Sequence, residues 1–201
     1  MIICLTGGLA SGKSTAVKHL ASKGAHVIDA DILGHRAYDP GTAAHAAVIE
    51  TFGEPVRGAD NQIDRRALGG LVFGKPDELK KLTDIVWPEI RRLAENEIEE
   101  VLTSNPRNTV VLEAAVLFEA GWQDIGDEIW VINVDRETAI QRSMQRDGAT
   151  RAAIEQRLSS QLSNEERIAL ADRVLSNDGD QAHLCQQLDA AWDHCMTEDN
   201  H

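Results

Sequence analysis

The chain has 201 residues, 42% of them hydrophobic, and a formal net charge of −13 at pH 7. A chain of this length can bury one substantial core, so we expect one folded unit over residues 1–201 with helical insertions, rather than two independent domains. The acidic balance argues against nucleic acid as the main partner, because binding to a polyanion depends on many lysine and arginine contacts with phosphates.

No segment of the sequence resembles a membrane anchor or a targeting signal. Charged residues interrupt the first apolar run far short of the length of a membrane span. The chain has three cysteines, so they cannot all pair with one another, and Cys4 lies in a predicted buried strand. A disulfide framework is therefore not expected. We expect a cytoplasmic monomer or weak oligomer that binds small molecules, and neither a membrane nor nucleic acid.

The first predicted elements are a strand over residues 2–6, a glycine-rich loop and a helix. The loop fits the pattern G-x-x-x-x-G-K-[ST] of a phosphate-binding loop. Its glycines let backbone N–H groups surround a phosphate, and the helix N-terminus adds partial positive charge. Lys13 is expected to reach the β- and γ-phosphates, and Ser14 is expected to bind Mg²⁺. The predicted nucleotide contacts in this loop are Ala10, Ser11, Gly12, Lys13, Ser14 and Thr15.

The second predicted strand, over residues 26–29, ends close to two carboxylates. Asp29 and Asp31 lie two residues apart, and ligands of open α/β sheets bind beyond the carboxyl ends of the strands. Such carboxylates can hold Mg²⁺ through water or accept a proton from an attacking hydroxyl. The alternative is helix capping, because an aspartate such as Asp31, just before an apolar helical turn, is a good N-cap.

A long helical insertion is predicted between the second and third strands, over about residues 41–107. Helical periodicity is present in "IDRRALGGLVFG" and in "PDELKKLTDIVWPEIRRLAENEIEEVL". Pro88 lies inside the second pattern, so we expect it to kink that helix or to split it in two.

Further strands are predicted over residues 109–113, 129–134 and 174–175. Glu113, at the end of the third strand, is either close to the site or a solvated strand end. The fourth strand is followed by Arg136, Arg142 and Arg146, of which the last two share one helix face. A solvated basic face is the usual explanation. After the fourth strand of a phosphate-loop fold, such arginines also indicate a lid that closes over a transferring phosphoryl group.

Helices are predicted over residues 136–146 and 151–171. The predicted lid covers about residues 136–171, with Arg157 and Gln161 as further members. After the fifth strand, Asn177 either contacts the nucleotide or only turns the chain. A final packing helix is predicted over residues 182–196. Short apolar strands that alternate with helices indicate an α/β fold with a five-stranded parallel sheet flanked by helices.

Five segments occur in the order and at the spacing of one known family. They are "TGGLASGKST", "HVIDADILGHRAYDPG", "RRALGGLVF", "MQRDG" and "NDG", and over essentially its whole length the chain resembles dephospho-CoA kinase. The resemblance implies a P-loop NTPase fold with a helical CoA-domain insertion and a helical lid. It implies transfer of the γ-phosphoryl group of ATP to the ribose 3′-hydroxyl of dephospho-CoA, which gives coenzyme A.

The resemblance also implies roles for individual residues. Asp31 matches the proposed catalytic base, and Lys13 and Arg142 are expected to act with it. Arg146 and Asn177 are expected to contact ATP, in addition to the phosphate loop. The expected cofactor is Mg²⁺.

Three segments depart from the stand-alone bacterial pattern of this family. His35 stands where an arginine is usual, Trp87 replaces a histidine, and Ala115-Val116 precedes Leu117 where Pro-Leu is expected. "LGHRAY", "LTDIVWP" and "EAAVLFEAGWQ" look instead like the kinase domain of animal bifunctional CoA synthase. Nothing precedes the phosphate loop, so the adenylyltransferase half of that protein is not expected in this chain.

The expected acceptor contacts are Asp29, Arg36 and Leu117. Arg36 either takes over from the missing arginine at position 35 or forms a surface ion pair.

Three other functions remain open at this point. A nucleoside or nucleoside-monophosphate kinase would share the loop and the lid, but a long insertion favours a larger acceptor. A GTPase-type switch would use the D-x-x-G at residues 31–34, although no N-K-x-D follows a later strand. A nucleotide-binding protein without catalysis is the third, and the retained Lys13, Ser14 and Asp31 argue against it.

Overall fold

The structure, a computed structural model, describes residues 1–198. In chain order the elements are β1 (Ile2–Gly7), α1 (Lys13–Ser22), β2 (His26–Asp29), α2 (Ala30–Arg36), α3 (Ala43–Phe52), a 3-10 turn (Glu54–Val56), α4 (Arg65–Val72), α5 (Pro76–Ser104), β3 (Val110–Glu113), β4 (Glu128–Asn133), α6 (Arg136–Asp147), α7 (Arg151–Ser159), α8 (Asn164–Ala169), β5 (Arg173–Ser176) and α9 (Gln181–Glu198).

The chain divides into two compact units. The sheet unit combines Met1–Ile28 with the chain from Glu100 onward, and the helical unit is Asp29–Glu99. The helical unit thus interrupts the sheet unit in sequence. It overlaps the insertion predicted over residues 41–107, but it begins and ends earlier in the chain.

The sheet has five strands in the order β2-β3-β1-β4-β5. The first strand is central, because β1 pairs in parallel with β3 on one side and with β4 on the other, and β4 pairs in parallel with β5. The predicted five-stranded parallel sheet is therefore confirmed. Its carboxyl ends carry the phosphate loop after β1 and polar turns after β4 and β5.

The sheet is buried on both faces, as the continuous apolar strands predicted. Side chains of a strand point alternately to opposite faces, and in β1 Ile3, Cys4 and Leu5 all have no exposed surface. Ile3 and Leu5 join one large core cluster between the sheet and two helices. From α1 and α9 this cluster takes Ala16, Leu20, Leu184, Leu188, Ala191, Trp192 and Cys195.

The helical unit has a core of its own. Its buried apolar side chains include Val48, Val56, Leu68, Val86 and Ile90. Asp64 begins α4 as an N-cap, because its carboxylate accepts hydrogen bonds from the N–H groups of Arg66 and Ala67.

Two of the predicted helices differ from those in the structure. The helix around Pro88 is not split: α5 runs for 29 residues through this proline. The stretch 151–171, predicted as one helix, forms α7 and α8. The break has a local cause, because Ser163 and Glu166 form a capping box that starts α8. Among residues 1–198, no helix combines the length and the apolar character that crossing a membrane requires.

Candidate active site

The phosphate loop turns sharply between β1 and α1. Gly12 is the N-cap of α1 with a φ of 100°, a left-handed conformation that strains residues with a side chain. A Cβ at this position would also collide with Nδ2 of Asn177. The Asn177 amide donates a hydrogen bond of 2.7 Å to the carbonyl of Ser11, which fixes the loop to the end of β5. Glycine is therefore required here on both grounds.

Lys13 lies folded over the loop. Its ammonium group donates hydrogen bonds to the carbonyl oxygens of Gly7 and Gly8, at 2.9 and 3.3 Å. The cation is thus held at the mouth of the loop, where the N-terminus of α1 also adds partial positive charge. This combination suits a bound phosphate.

A cavity of about 240 Å³ joins the loop to α6 and to the chain after β5. Its lining residues are Ala10, Gly12, Thr15, Arg142, Asn177 and Gln181. The first five of these were predicted site residues, and the structure brings them together. Gln181 was missed, because the first residue of a packing helix gives no sequence signal for a binding role.

Hydrogen bonds fix the strand ends around this cavity. The Asn177 N–H donates to the carbonyl of Asn133, and the Asp135 N–H donates to the carboxylate of Asp178 at 2.6 Å. Asp135 is also the N-cap of α6, and hydrogen bonds from Thr138 lower its pKa. Arg142, from the middle of α6, donates to the carbonyl of Gly179 at 3.4 Å. The cavity thus has a cation on one wall.

Arg146, also a predicted ATP contact, does not line this cavity. Its guanidinium pairs with the neighbouring Asp147 at 2.7 Å, and these hydrogen bonds lower the pKa of Asp147. Arg157 adds a looser contact to the same carboxylate at 3.8 Å. Arg146 is exposed, so it is held by a surface ion pair in this structure.

The two predicted carboxylates of the helical unit differ in their contacts. Asp29 is the N-cap of α2 and accepts hydrogen bonds from the N–H groups of Asp31 and Ile32, at 2.8 and 3.2 Å. The capping alternative for Asp31 is therefore wrong, because Asp29 already caps this helix. Asp31 lies in the first turn of α2 with an exposed side chain.

Two further predicted acceptor contacts have ordinary structural surroundings. Arg36 is exposed and forms an ion pair of 3.4 Å with Glu97, within the helical unit. Leu117 has no exposed surface, so its side chain packs in the core and presents nothing to a ligand. Glu113 ends β3 and is partly buried.

A second and larger cavity, of about 390 Å³, is lined by other residues of the loop. Gly8, Leu9, Arg136, Asn164 and Arg167 are among its lining residues. Arg167 is the unusual member, since this arginine is only 2% exposed. Burial lowers its pKa, and the nearby carboxylate of Glu119 opposes that shift. The sequence does not predict this burial, because "NEERIA" is indistinguishable from a solvated helix.

The donor set for a metal ion is small. Among the described residues, no group of three or more histidines, cysteines, aspartates and glutamates is placed to hold a metal. Ser14 is exposed at the first turn of α1, beside Lys13. Mg²⁺ in phosphoryl-transfer sites typically takes one or two protein ligands, substrate phosphates and water. The residues present fit that mode of binding.

Comparisons with known proteins place the chain in one family. The family model described as dephospho-CoA kinase (CoaE) matches residues 1–183. A dephospho-CoA kinase of Geobacter sulfurreducens is 44% identical over 191 residues, which are 95% of this chain and 96% of the relative.

Two solved structures share the fold along almost the whole chain. A Thermus thermophilus protein has a TM-score of 0.79 at 35% identity and covers 96% of this chain and 97% of its own. The dephospho-CoA kinase of Campylobacter jejuni has a TM-score of 0.74 at 26% identity and covers 98% of both chains.

Proposed function

The chain belongs to the dephospho-CoA kinase family, and we propose that it transfers the γ-phosphoryl group of ATP to the ribose 3′-hydroxyl of dephospho-CoA. The products are ADP and coenzyme A. The observation that carries the proposal is the 240 Å³ cavity, because it gathers the phosphate loop, Arg142 and Asn177 around one space. An ordinary glycine-rich turn would not need an arginine and a buried asparagine beside it.

The loop supplies positioned charge to the reaction. Phosphoryl transfer has a loose transition state, so the protein acts mainly by orienting the phosphates and by stabilising charge on their oxygens. Lys13 is held at the loop by carbonyl groups and exchanges these contacts for β- and γ-phosphate oxygens. Ser14, with the phosphates and water, would hold Mg²⁺, which would neutralise charge on the phosphate oxygens.

Asp31 is the proposed general base. Its carboxylate takes the proton of the 3′-hydroxyl while that oxygen bonds to the γ-phosphorus, and the bond from the γ-phosphorus to the bridging oxygen breaks to release ADP. The exposed side chain and the separate cap at Asp29 support this role, because Asp31 is not needed to begin α2.

The helical unit is the proposed binding region for dephospho-CoA. We assign acceptor contacts to Asp29 and Arg36, and we assign none to the buried side chain of Leu117. Arg36 must release Glu97 to bind a substrate phosphate. Their ion pair is long and exposed, so its loss costs little.

We further propose a cytoplasmic location and a monomer or weak oligomer that binds no nucleic acid. The three cysteines, all among the described residues, form no disulfide, and two of them are buried, which fits a reducing compartment. The net charge of −13 opposes binding to polyanions.

An acceptor screen tests the function. ADP release is followed with Mg²⁺ and ATP and with dephospho-CoA, nucleosides or nucleoside monophosphates as acceptor. We expect dephospho-CoA to give a far higher kcat/KM than the other acceptors. A preference for a nucleoside or a nucleoside monophosphate would identify the sibling P-loop kinase activity instead.

The phosphate loop is tested by Lys13→Ala. We expect kcat to fall by about 10²-fold or more, because a contact to the transferring phosphoryl group is lost, while the circular dichroism spectrum is unchanged. Lys18→Ala is the matched control, since Lys18 is exposed on the same helix. Turnover of Lys13→Ala at the control's rate would refute the assignment of the loop.

A further inference from the structure

The guanidinium of Arg167 is buried beside the first turn of the phosphate loop. Only 3% of its side chain is exposed. Its Nη1 atom would lie 3.4 Å from a Cβ built on Gly8, so the cation is packed directly against the backbone of the loop. It is held there from α8 by one hydrogen bond, which Nη1 donates to the carbonyl of Leu162 at 2.5 Å.

The hydrogen bonding of this cation is incomplete. Among the described residues, Nε and Nη2 of Arg167 have no hydrogen-bond partner, and neither has Oε2 of Glu119. The nearest carboxylate oxygen, Oε1 of Glu119, is 3.7 Å from Nη2, which is too long for a hydrogen bond.

The ion pair of Arg173 and Glu128 in the same unit shows what a fully formed contact looks like. There the guanidinium donates two hydrogen bonds to the carboxylate, at 2.7 and 3.0 Å. A guanidinium has five N–H donors, and burying them without partners is costly. Arg167 therefore keeps donor capacity that its protein neighbours do not use.

The space next to Arg167 suits an anion. Arg167 and Arg136 both line the 390 Å³ cavity, together with Gly8 and Leu9 of the loop. Asp135 and Glu165 line it as well, and the Asp135 carboxylate is engaged as the N-cap of α6. Asn164 is oriented by its own hydrogen bond, in which Nδ2 donates to the carbonyl of Val134 at 2.7 Å. Two guanidinium groups and a phosphate-loop backbone on one cavity match the planar, multidentate recognition of phosphate oxygens.

We propose that this cavity is a second oxyanion subsite of the phosphate loop, in which Arg167 binds oxygen atoms of a substrate phosphate. Glu119 balances the charge of Arg167 when no phosphate is bound. The inference rests on the proposed function, which supplies two sources of the group: the γ-phosphate of ATP and the diphosphate of dephospho-CoA.

Calorimetric titration of ATP, ADP and dephospho-CoA into the wild type and Arg167→Met tests this subsite. Loss of a charged hydrogen bond predicts a Kd raised by about 10- to 100-fold for the ligand that carries the bound phosphate. If the γ-phosphate is the source, only ATP binding weakens and ADP binding is unchanged. If the diphosphate is the source, only dephospho-CoA binding weakens.

Arg173→Met is the matched control, because it removes a partly buried guanidinium from the same unit at the other end of the sheet strands. We expect it to lower the unfolding temperature and to leave all three Kd values unchanged. The proposal would be overturned if folded Arg167→Met had the wild-type Kd for all three ligands, or if all three Kd values rose by the same factor.

Two further variants keep the test decisive if Arg167→Met does not fold. Arg167→Lys retains the charge but loses the planar set of guanidinium N–H donors. The ligand that carries the bound phosphate should therefore bind more weakly, and unchanged binding would overturn the proposal. Glu119→Gln removes the competing carboxylate, so that ligand should bind at least as tightly as in the wild type. Failure of the wild type to bind dephospho-CoA would count against the proposed function, while the comparison of ATP with ADP would still test Arg167.

Discussion

Asp29 and Asp31 are separated by one residue, but only the Asp29 side chain accepts hydrogen bonds from the backbone at the start of α2. Asp29 accepts two N–H groups at the start of α2, whereas Asp31 lies exposed in the first turn. Sequence spacing marked both as candidates, because either is compatible with a cap or with a base. Only the backbone hydrogen bonds identify the cap, because a sequence pattern locates the start of a helix to within one or two residues, and Asp29 and Asp31 lie within that range.

Asp31→Asn tests the general base at the level of a single residue. We expect kcat to fall by about 10²- to 10⁴-fold at saturating substrates, because an amide cannot take the proton of the 3′-hydroxyl. The unfolding temperature should hardly change, because the cap at Asp29 is retained. A loose transition state would place the loss near the lower end of this range. A steady-state assay and a thermal melt measure the two quantities.

The control for this variant is Asp77→Asn in the same unit. Asp77 is an exposed first-turn carboxylate of α5, so its loss removes a comparable interaction with a helix N-terminus. We expect this control to keep the wild-type kcat. A loss below about threefold in Asp31→Asn would end the assignment of Asp31 as the base.

At the scale of elements, the strands were easier to predict than the helices α7 and α8. The five predicted strands lie within about two residues of the observed ones, because a buried parallel strand is a short apolar run between polar turns. The break at Ser163 was missed although "SNEE" carries a capping-box pattern, since the periodicity on both sides favoured one helix. Burial of Arg167 was not predictable, because it depends on the packing of α8 against β4.

Arg142→Lys tests the lid that we propose over about residues 136–171, which form α6, α7 and α8. Lysine keeps the charge but loses the two-pronged geometry, so we expect a large fall in kcat with little change in ATP affinity. Rapid-quench turnover and a nucleotide titration separate the two effects. Arg151→Lys is the control, because Arg151 begins α7 and pairs with Glu137 at 2.7 Å on the surface. Loss of ATP binding with an unchanged kcat would contradict the lid.

At the scale of the molecule, one polar cluster joins the sheet to its last helix. Glu128 at the start of β4 accepts hydrogen bonds from Arg173 of β5 and from the indole N–H of Trp130, and the Cys195 thiol of α9 donates to it at 3.4 Å. The hydrogen bonds from Arg173 lower the pKa of Glu128 to about 2. This cluster lies at the opposite end of the strands from the phosphate loop.

The depressed pKa predicts a pH-dependent stability. Glu128 ionises at a pKa of about 4.3 when unfolded, so its contribution is fully present above that value and is lost as the pH falls toward 2. We expect Glu128→Gln to cost about 1–2 kcal/mol at pH 7, with the difference from the wild type shrinking between about pH 4.5 and pH 2.

Urea unfolding at several pH values measures this difference. Glu54→Gln, which breaks the exposed pair of Glu54 with Arg57, should show almost no difference at any pH. A Glu128→Gln penalty that is the same at pH 3 as at pH 7 would contradict the assigned ionisation.

The central position of β1 also dictates the order in which a nascent chain can fold. The helical unit is continuous in sequence, so it can collapse as soon as it leaves the ribosome. The strand that carries the phosphate loop must wait, because its two neighbours, β3 and β4, are translated about a hundred residues later. Asn177, which holds the Ser11 carbonyl, emerges later still. The strand β1 and the loop after it are thus among the last parts of the sheet unit to reach their native arrangement, and a ribosome-bound fragment that ends before β5 lacks Asn177, which lines the cavity beside the loop.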